Sequence, residues 1–451
     1  MKTAIKITAQ HYDVETGNII DSCVIDDSHI ISAPDTLNSL GYLHLNQIEI
    51  IQYLQDFKIK HQSVLINQVS TCPKCGVHVN KCGIRSSKFH AALTDHDVYI
   101  QRRKCRCGWN SPYTIEGIYG SSLHPDLLEK QTKQGADNSY RKASNNLNAE
   151  SKHNRSVNSI DSVRKNSKKV SQIIGNDKLT QPTVVNKINA ANKLIVTVDG
   201  GHVKSNATGT RSFEAMIAAI YRPENVVPID KTHNEIIQKT CVASALSDKQ
   251  VTIKSLTLNA CLKEGMHPEV TEVTELTSLT DGANNCWSIT NALKSYCKIL
   301  INVLDWFHIN KRFTIINNSI YAIFKDRLEK VKWHLWHGNY KSGLDKLQKL
   351  INESTVEKIT NLLEQLYEYI ERNKKYLVNY RERKLAGLPF TSTMAESSVN
   401  CLINTRQKGN QKMQWSRQGA HDVLQIRTSI FSKSWTNDWN QAQQGIYKKT
   451  A

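Results

Sequence analysis

The chain has 451 residues, 39% hydrophobic and 22% charged, and its Lys+Arg 59 against Asp+Glu 41 leaves a formal net charge of +18. That length supplies two or three folding units with real cores, and the composition excludes a disordered tail. The basic balance favours a polyanionic partner, nucleic acid first, because each Lys or Arg that meets a phosphate releases condensed counterions.

No charged-then-apolar leader opens the sequence, and no apolar run approaches the ~18–20 residues of a membrane span, so a cytoplasmic, nucleoid-associated protein is expected. The eleven cysteines are unevenly spread, with Cys72, Cys75, Cys82, Cys105 and Cys107 crowded into one segment. In a reducing compartment such crowding points to metal ligation rather than to disulfides.

Residues 1–70 begin with the alternating run AIKITAQHYDVETGNIIDSCVI, which predicts a hairpin turning at ETGN, and continue with the helical LNQIEIIQYLQDF. No chemistry is legible there. Residues 71–119 carry two cysteine-glycine knuckles, TCPKCGVHVNKCG and RRKCRCGW, on either side of the strand-like HDVYIQRR. Two such turns can complete a tetrahedral zinc site, a zinc-ribbon-like module with Cys72, Cys75, Cys105 and Cys107 as ligands. The second pair is CxC rather than CxxC, which leaves His78 or Cys82 as possible replacements for one ligand.

Residues 120–190 are polar, yet SYRKASNNLN and SVNSIDSVRKNSKKVSQII have helical spacing with AESKHNR between them, the pattern of a helix-turn-helix. Arg155, Arg164, Lys165, Lys168 and Lys169 are the candidate DNA contacts; a solvated basic linker is the alternative. From residue 191 to 311 the pattern turns to strands, LIVTVD, SFEAMIAAIY, KTCVASAL, EVTELTSLT and CKILINVLD, with a helix in SITNALKSYCKIL, an α/β arrangement. Residues 312–388 read as an all-helical insertion, and residues 389–451 return to core helices.

The acids of this last half carry the chemistry. Asp199 ends LIVTV, Asp281 ends ELTSLT, and Glu396 stands in the first turn of the helix after the insertion. The glycines that follow both aspartates allow close backbone approach. Carboxylates ~4 Å apart repel by roughly 4 kcal/mol per pair at an effective dielectric of 20, so their convergence calls for cations. Mg²⁺ or Mn²⁺, as a pair of hard ions, suits oxygen ligands and phosphodiester chemistry. Taken singly, each acid is equally a turn or helix-start residue.

The order TVDGG, LTDGA, LDWFHINKR, a long helical segment, and MAESSVNCLINTRQKGNQKMQWSR resembles the DDE transposases of bacterial insertion sequences, in the families allied to the Mutator-like superfamily. The resemblance spans about residues 190–435. It implies a ribonuclease H-like core whose first Asp lies on the first strand, whose second follows the fourth, and whose Glu lies beyond a helical insertion: Asp199, Asp281 and Glu396. It also implies roles for Asp305 and His308 of DWFH beside a reacting phosphate, although Asp305 reads equally well as a helix N-cap. Arg406, Lys408 and Lys412 would hold phosphates, an ordinary solvated face being the alternative. The expected activity is metal-dependent cleavage at terminal inverted repeats followed by strand transfer, by a homo-oligomer in a synaptic complex. A ribonuclease H-like nuclease without strand transfer, and a zinc-containing DNA-binding protein with an inactive core, are the alternatives.

Overall fold

Hydrophobic alternation and cysteine spacing build one part of the chain, and strand-helix crossovers build the other. The computed structural model describes residues 3–180, 190–229, 234–266, 275–320, 322–392, 400–408 and 413–448. It divides into two compact units, Met1–Val170 with Asn437–Ala451, and Ser171–Thr436. Among the described residues no helix is long and apolar enough to cross a membrane.

In the first unit, β1 (Thr3–Tyr12) and β2 (Ile19–Ile31) form the expected antiparallel hairpin. Its turn is fixed by the Asp13 carboxylate, which accepts the N–H groups of Glu15 and Thr16. Helix α1 (His44–Ser63) follows, then β3 (Asn80–His90) and β4 (Asp95–Lys104), an antiparallel pair with the two cysteine knuckles at one end. Strand β3, with no clean alternation, is not evident in the sequence.

Three helices come next: α2 (Ile115–Tyr119), α3 (Pro125–Asp137) and α4 (Tyr140–Ala149), and α5 (Ile160–Leu179) begins after them. Both expected helices of the 120–190 region are present, and Ala143 and Leu147 of the first pack on Val163 of the second. The link between them, residues 150–159, is longer than the three or four residues of a tight helix-turn-helix, and α3 precedes the pair. Residues 181–189 of that region lie outside the described residues.

The second unit is built on a five-stranded sheet: β5 (Lys193–Lys204), β6 (Ser212–Tyr221), β9 (Thr240–Ser244), β10 (Glu275–Thr280) and β11 (Ile299–Leu304), with β7 (Val226–Pro228) and β8 (Asn234–Ile236) as a small separate ribbon. In space the order is β11-β10-β5-β6-β9. Strands β5, β6 and β9 pair antiparallel, while β10 and β11 lie parallel to β5 on its other side. One face is covered by α6 (Val251–Lys263) and α7 (Asn284–Asn291) over Val196, Val198, Met216 and Leu276. Helix α6 was not expected. Its apolar residues surround it instead of marking one face, so no helical stripe stands out.

The other face carries α8 (Trp306–Asn317) over Leu279, Val303 and Leu304, and α13 (Arg417–Phe431) over Ala215, Ile217 and Ala243. The expected helical stretch is α9 (Ala322–Trp336), α10 (Tyr340–Glu353), α11 (Glu357–Asn373) and α12 (Tyr380–Leu385). Its stripe is Ile359, Leu363, Leu366 and Ile370, buried together with Leu328, Leu335 and Leu347. The described chain ends with α14 (Trp435–Ile446).

Candidate functional site

Parallel pairing fixes the register of three strands. Val198 of β5 lies opposite Thr280 of β10, and Thr280 opposite Leu304 of β11. One residue further on stand Asp281 and Asp305, just past the carboxyl ends of β10 and β11, abreast of Asp199, which lies inside β5: the strand does not end there, as TVDGG suggested, but runs on to Lys204 in its pairing with β6. The Asp305 N–H extends the ladder by donating to the Thr280 carbonyl at 2.9 Å. Neighbouring strands are about 4.8 Å apart, so the sheet itself sets the spacing of the three acids.

A cleft of about 20 Å³ opens between them, lined by Asp199, Asp281, Asp305, His308 and Ser392 together with Thr197 and Thr280. That is room for a water or an ion and little more. Asp199 and Asp281 are partly exposed, and their own neighbours hold them: Gly200 N–H donates to Asp199 Oδ1 at 2.7 Å, and Ala283 N–H to Asp281 Oδ1 at 2.8 Å. The Tyr369 hydroxyl donates to the Asp281 carbonyl at 2.8 Å. Gly282 has φ +91, and a Cβ there would stand 2.8 Å from Asn373 Nδ2 and Leu304 Cδ1, so only glycine makes this turn.

Asp305 is fully buried and does two things. Its carboxylate accepts from Phe307 N–H at 2.9 Å, which caps α8, and from the Ser392 N–H at 3.0 Å and the Ser392 hydroxyl. It also faces the cleft, with His308 Nε2 at 3.7 Å from its Oδ2. Burial pushes the Asp199 carboxyl above its usual range; nearby Asp281 and Asp305 add to this, while the Gly200 N–H and His308 oppose it. Asp305 is raised too, by burial, against its bonds from Ser392 and the pull of His308. Burial also holds the Cys286 thiol well above its usual value, with Asp281 and Asp199 reinforcing it. Carboxylates crowded out of water in this way offer oxygen ligands to a cation.

Glu396 lies outside the described residues, as does Lys412. The space beside the two glycines after Asp199, which close approach was expected to use, is taken by the protein itself. A Cβ on Gly200 would stand 2.6 Å from Glu214 Oε1, and one on Gly201 would stand 3.1 Å from Ile403 Cδ1 and 3.5 Å from Lys408 Nζ. The Ser392 support of Asp305 was missed, since nothing in LPFTST marks it, and so was Asn285, which binds Glu214 beside Gly200.

The cysteine cluster is the second candidate centre. The sulfurs of Cys72, Cys75, Cys105 and Cys107 all lie within 4.8 Å of one another. Cys72 and Cys107 are 3.6 Å apart and Cys75 and Cys105 3.5 Å, close to the roughly 3.8 Å edge of a tetrahedron with metal–sulfur bonds of about 2.3 Å. Gly76 at φ +73 and Gly108 at φ +89 turn the knuckles, so the CxC pair closes the site and neither His78 nor Cys82 belongs to it. The Val77 N–H would lower the Cys75 thiol, but the sulfurs of Cys105 and Cys107 outweigh it and push it up to about 12. Four touching thiols cannot all ionise without a cation; the donor set fits Zn²⁺ as a closed structural site.

The expected DNA contacts divide. Arg164, Lys165, Lys168 and Lys169 are exposed on α5, Arg164 pairing with Asp161 at 2.8 Å. Arg155 is a correction: it is 7% exposed, and its guanidinium binds Asp95 and the carbonyls of Ala91, Ala92 and Thr94. Burial would raise the Asp95 carboxyl, but bonds from His90 and Arg155 hold it at about 2. Arg406 is a second correction. At 3% exposed, with its guanidinium carbon 4.7 Å over the Trp415 ring and Nη1 on Met413 sulfur, it is a packing cation with no reach to a phosphate. Lys408 is exposed.

No family model matches the chain, and no curated protein matches it. Among solved structures it is similar to the Drosophila P element transposase strand transfer complex, at 8% identity over 73% of this chain and 82% of that one, with a TM-score of 0.24. A similarity of that size bears on neither fold nor activity.

Proposed function

We propose that the chain is a DNA transposase of the DDE type, cutting and joining phosphodiesters at a metal site in a ribonuclease H-like core. The observation that carries this reading is the alignment of Asp199, Asp281 and Asp305 abreast on three adjacent parallel strands. The strand order supports it: the first aspartate is on the first strand of the sheet and the second directly after the fourth, with a helical stretch beyond. The net charge of +18 suits a DNA substrate.

Asp199 and Asp281 would hold the divalent cation, with Glu396 as the third carboxylate. When bound, that cation supplies the charge that stabilises both the attacking and the leaving oxygen of an in-line displacement. The protein does the rest. The register of the sheet fixes the backbone positions of the two aspartates, so only their short side chains remain to be oriented. Asp305 holds Ser392 and the first turn of α8, and so positions His308 at the rim, where its ring nitrogen can donate to a phosphate oxygen. The zinc knuckles and the basic face of α5 would bind the element's terminal repeats, and a synaptic complex would pair two ends.

The test uses the purified full chain on labelled DNA with Mg²⁺ or Mn²⁺. Cleavage by the wild type that disappears in Asp199→Asn and Asp281→Asn supports the reading, and undiminished cleavage in both overturns it. Joined donor–target products distinguish a transposase from a nuclease that only hydrolyses. DNA binding with no cleavage under any metal would leave a zinc-containing binding protein. Flanking genomic DNA with inverted repeats would supply the substrate ends.

A further inference from the structure

Helix α8 leaves the carboxylate cleft carrying a cation whose position is fixed. Asp305 caps the helix, His308 of its first turn lines the cleft, and Arg312 follows four residues later, on the same face and about 6 Å further along the axis. Ile309, Phe313 and Ile316 bury a different stripe of α8, and Arg312 stays exposed. Its guanidinium carbon lies 4.0 Å over the centre of the Tyr369 ring, and among the described residues it forms no ion pair.

The tyrosine beneath it is itself held on two sides. Its hydroxyl donates to the Asp281 carbonyl at 2.8 Å, and its own carbonyl accepts from Asn373 Nδ2 at 2.9 Å, while Asn373 Oδ1 accepts from Trp287 Nε1 at 3.1 Å. Burial holds the Tyr369 phenol well above its usual range against the pull of Arg312, so the hydroxyl keeps its proton for Asp281. Stacking has the opposite meaning at Arg406, which is 3% exposed over Trp415 and keeps its charge inside the fold. At Arg312 the ring covers one face of an exposed guanidinium, whose N–H donors lie in its plane and point outward from the edge. A freely rotating arginine would lose up to about 2 kcal/mol of rotamer entropy on gripping an anion, and the ring removes part of that cost beforehand.

We infer that Arg312 grips a phosphate flanking the one that reacts, holding the DNA strand against α8 at the carboxylate cleft, with the Tyr369 ring as the platform that positions its guanidinium. A planar fork of donors is suited to the paired oxygens of a phosphodiester. Tyr369 thereby touches both the substrate-holding cation and the turn that carries Asp281. The inference rests on the proposed phosphodiester chemistry, which it deepens by assigning a substrate contact.

The experiment measures single-turnover cleavage of a labelled duplex oligonucleotide by the zinc-loaded full chain with Mg²⁺ or Mn²⁺. It is repeated on duplexes in which one linkage at a time around the cut is a neutral methylphosphonate. In the wild type one flanking substitution should slow cleavage at least about tenfold, the loss of a charge-assisted hydrogen bond. Arg312→Gln should be slowed by a similar factor on the unmodified duplex and should be indifferent to that one substitution, because both changes remove the same contact. Arg312→Lys, which keeps the charge without the fork, should recover part of the rate. Lys341→Gln, at an exposed position of α10, should alter neither the rate nor the pattern. Tyr369→Phe keeps the ring and loses the hydroxyl, so the coupling between Arg312 and the linkage should survive it; its disappearance there would overturn the ring as platform. Wild-type rates in Arg312→Gln, or penalties that simply multiply at every linkage, overturn the grip and leave the cleavage reading standing. If the wild type cleaves no duplex with either metal, the functional reading falls and the grip falls with it.

Discussion

Two candidate metal centres, one in each unit, are built on opposite plans. The cysteine cluster takes all four donors from two knuckles about thirty residues apart, with sulfurs 3.5–3.6 Å apart in two pairs, and nothing but sulfur faces the centre. The carboxylate cleft draws Asp199, Asp281 and Asp305 from three strands more than a hundred residues apart from first to last, and Asp199 and Asp281 keep access to solvent. A closed four-ligand site is suited to holding a fold, and an open, partly wet oxygen site is suited to chemistry. The difference lies in what the surroundings do: knuckle turns finish the first site locally, whereas a parallel sheet must form before the second exists.

That contrast can be broken most sharply at the cysteines. Cys72→Ala, or a strong chelator, should unfold the 71–119 module, with a loss on the order of 10 kcal/mol if Zn²⁺ binding drives its folding. Metal analysis should show one zinc per chain lost with that melting step, and an unchanged melt would make the thiols merely reduced neighbours. Asp281→Asn should leave the zinc content and the melting step untouched. Its cleavage rate should fall by at least about 10³-fold, several kcal/mol of transition-state stabilisation.

Next in size is the correction at Arg155. Its guanidinium is buried on Asp95 and three carbonyls, so Arg155→Ala should cost about 3–5 kcal/mol of first-unit stability, read by denaturant unfolding. A purely DNA-contacting arginine would weaken DNA binding and leave the unfolding midpoint alone. The smallest effect separates structure from function at Asp199. Its raised carboxyl keeps a proton that the unfolded chain releases, so the folded state loses stability as pH rises from the ordinary carboxylate range through the raised value. Asp199→Asn should therefore raise the melting temperature by a few degrees at pH 7, and by little or nothing below that range. Added Mg²⁺ should stabilise the wild type and not this variant.

Much of this was readable from local chemistry. The CxxC and CxC spacing with following glycines named the four thiols, and the apolar runs before TVDGG and LTDGA marked two strands, of which only the second ends at its aspartate. The helix-cap reading of Asp305 in DWFH holds, and the same residue also lines the cleft. Cationic residues were the least legible: Arg155 and Arg406 are indistinguishable in sequence from Arg164 and Lys408, because charge does not reveal whether a carboxylate, carbonyl or indole waits inside. Helix α6 and Ser392 went unseen for related reasons, the one lacking a stripe and the other a motif.

By itself the sequence determined which side chains could ligate, much of the alternation of strands and helices, and a basic balance that suits a polyanion, since these follow from residue type and short spacing. Tertiary structure decided the register that sets Asp199, Asp281 and Asp305 abreast and the burial that makes two arginines structural. Those depend on pairings between residues far apart in the chain, and no local pattern encodes them.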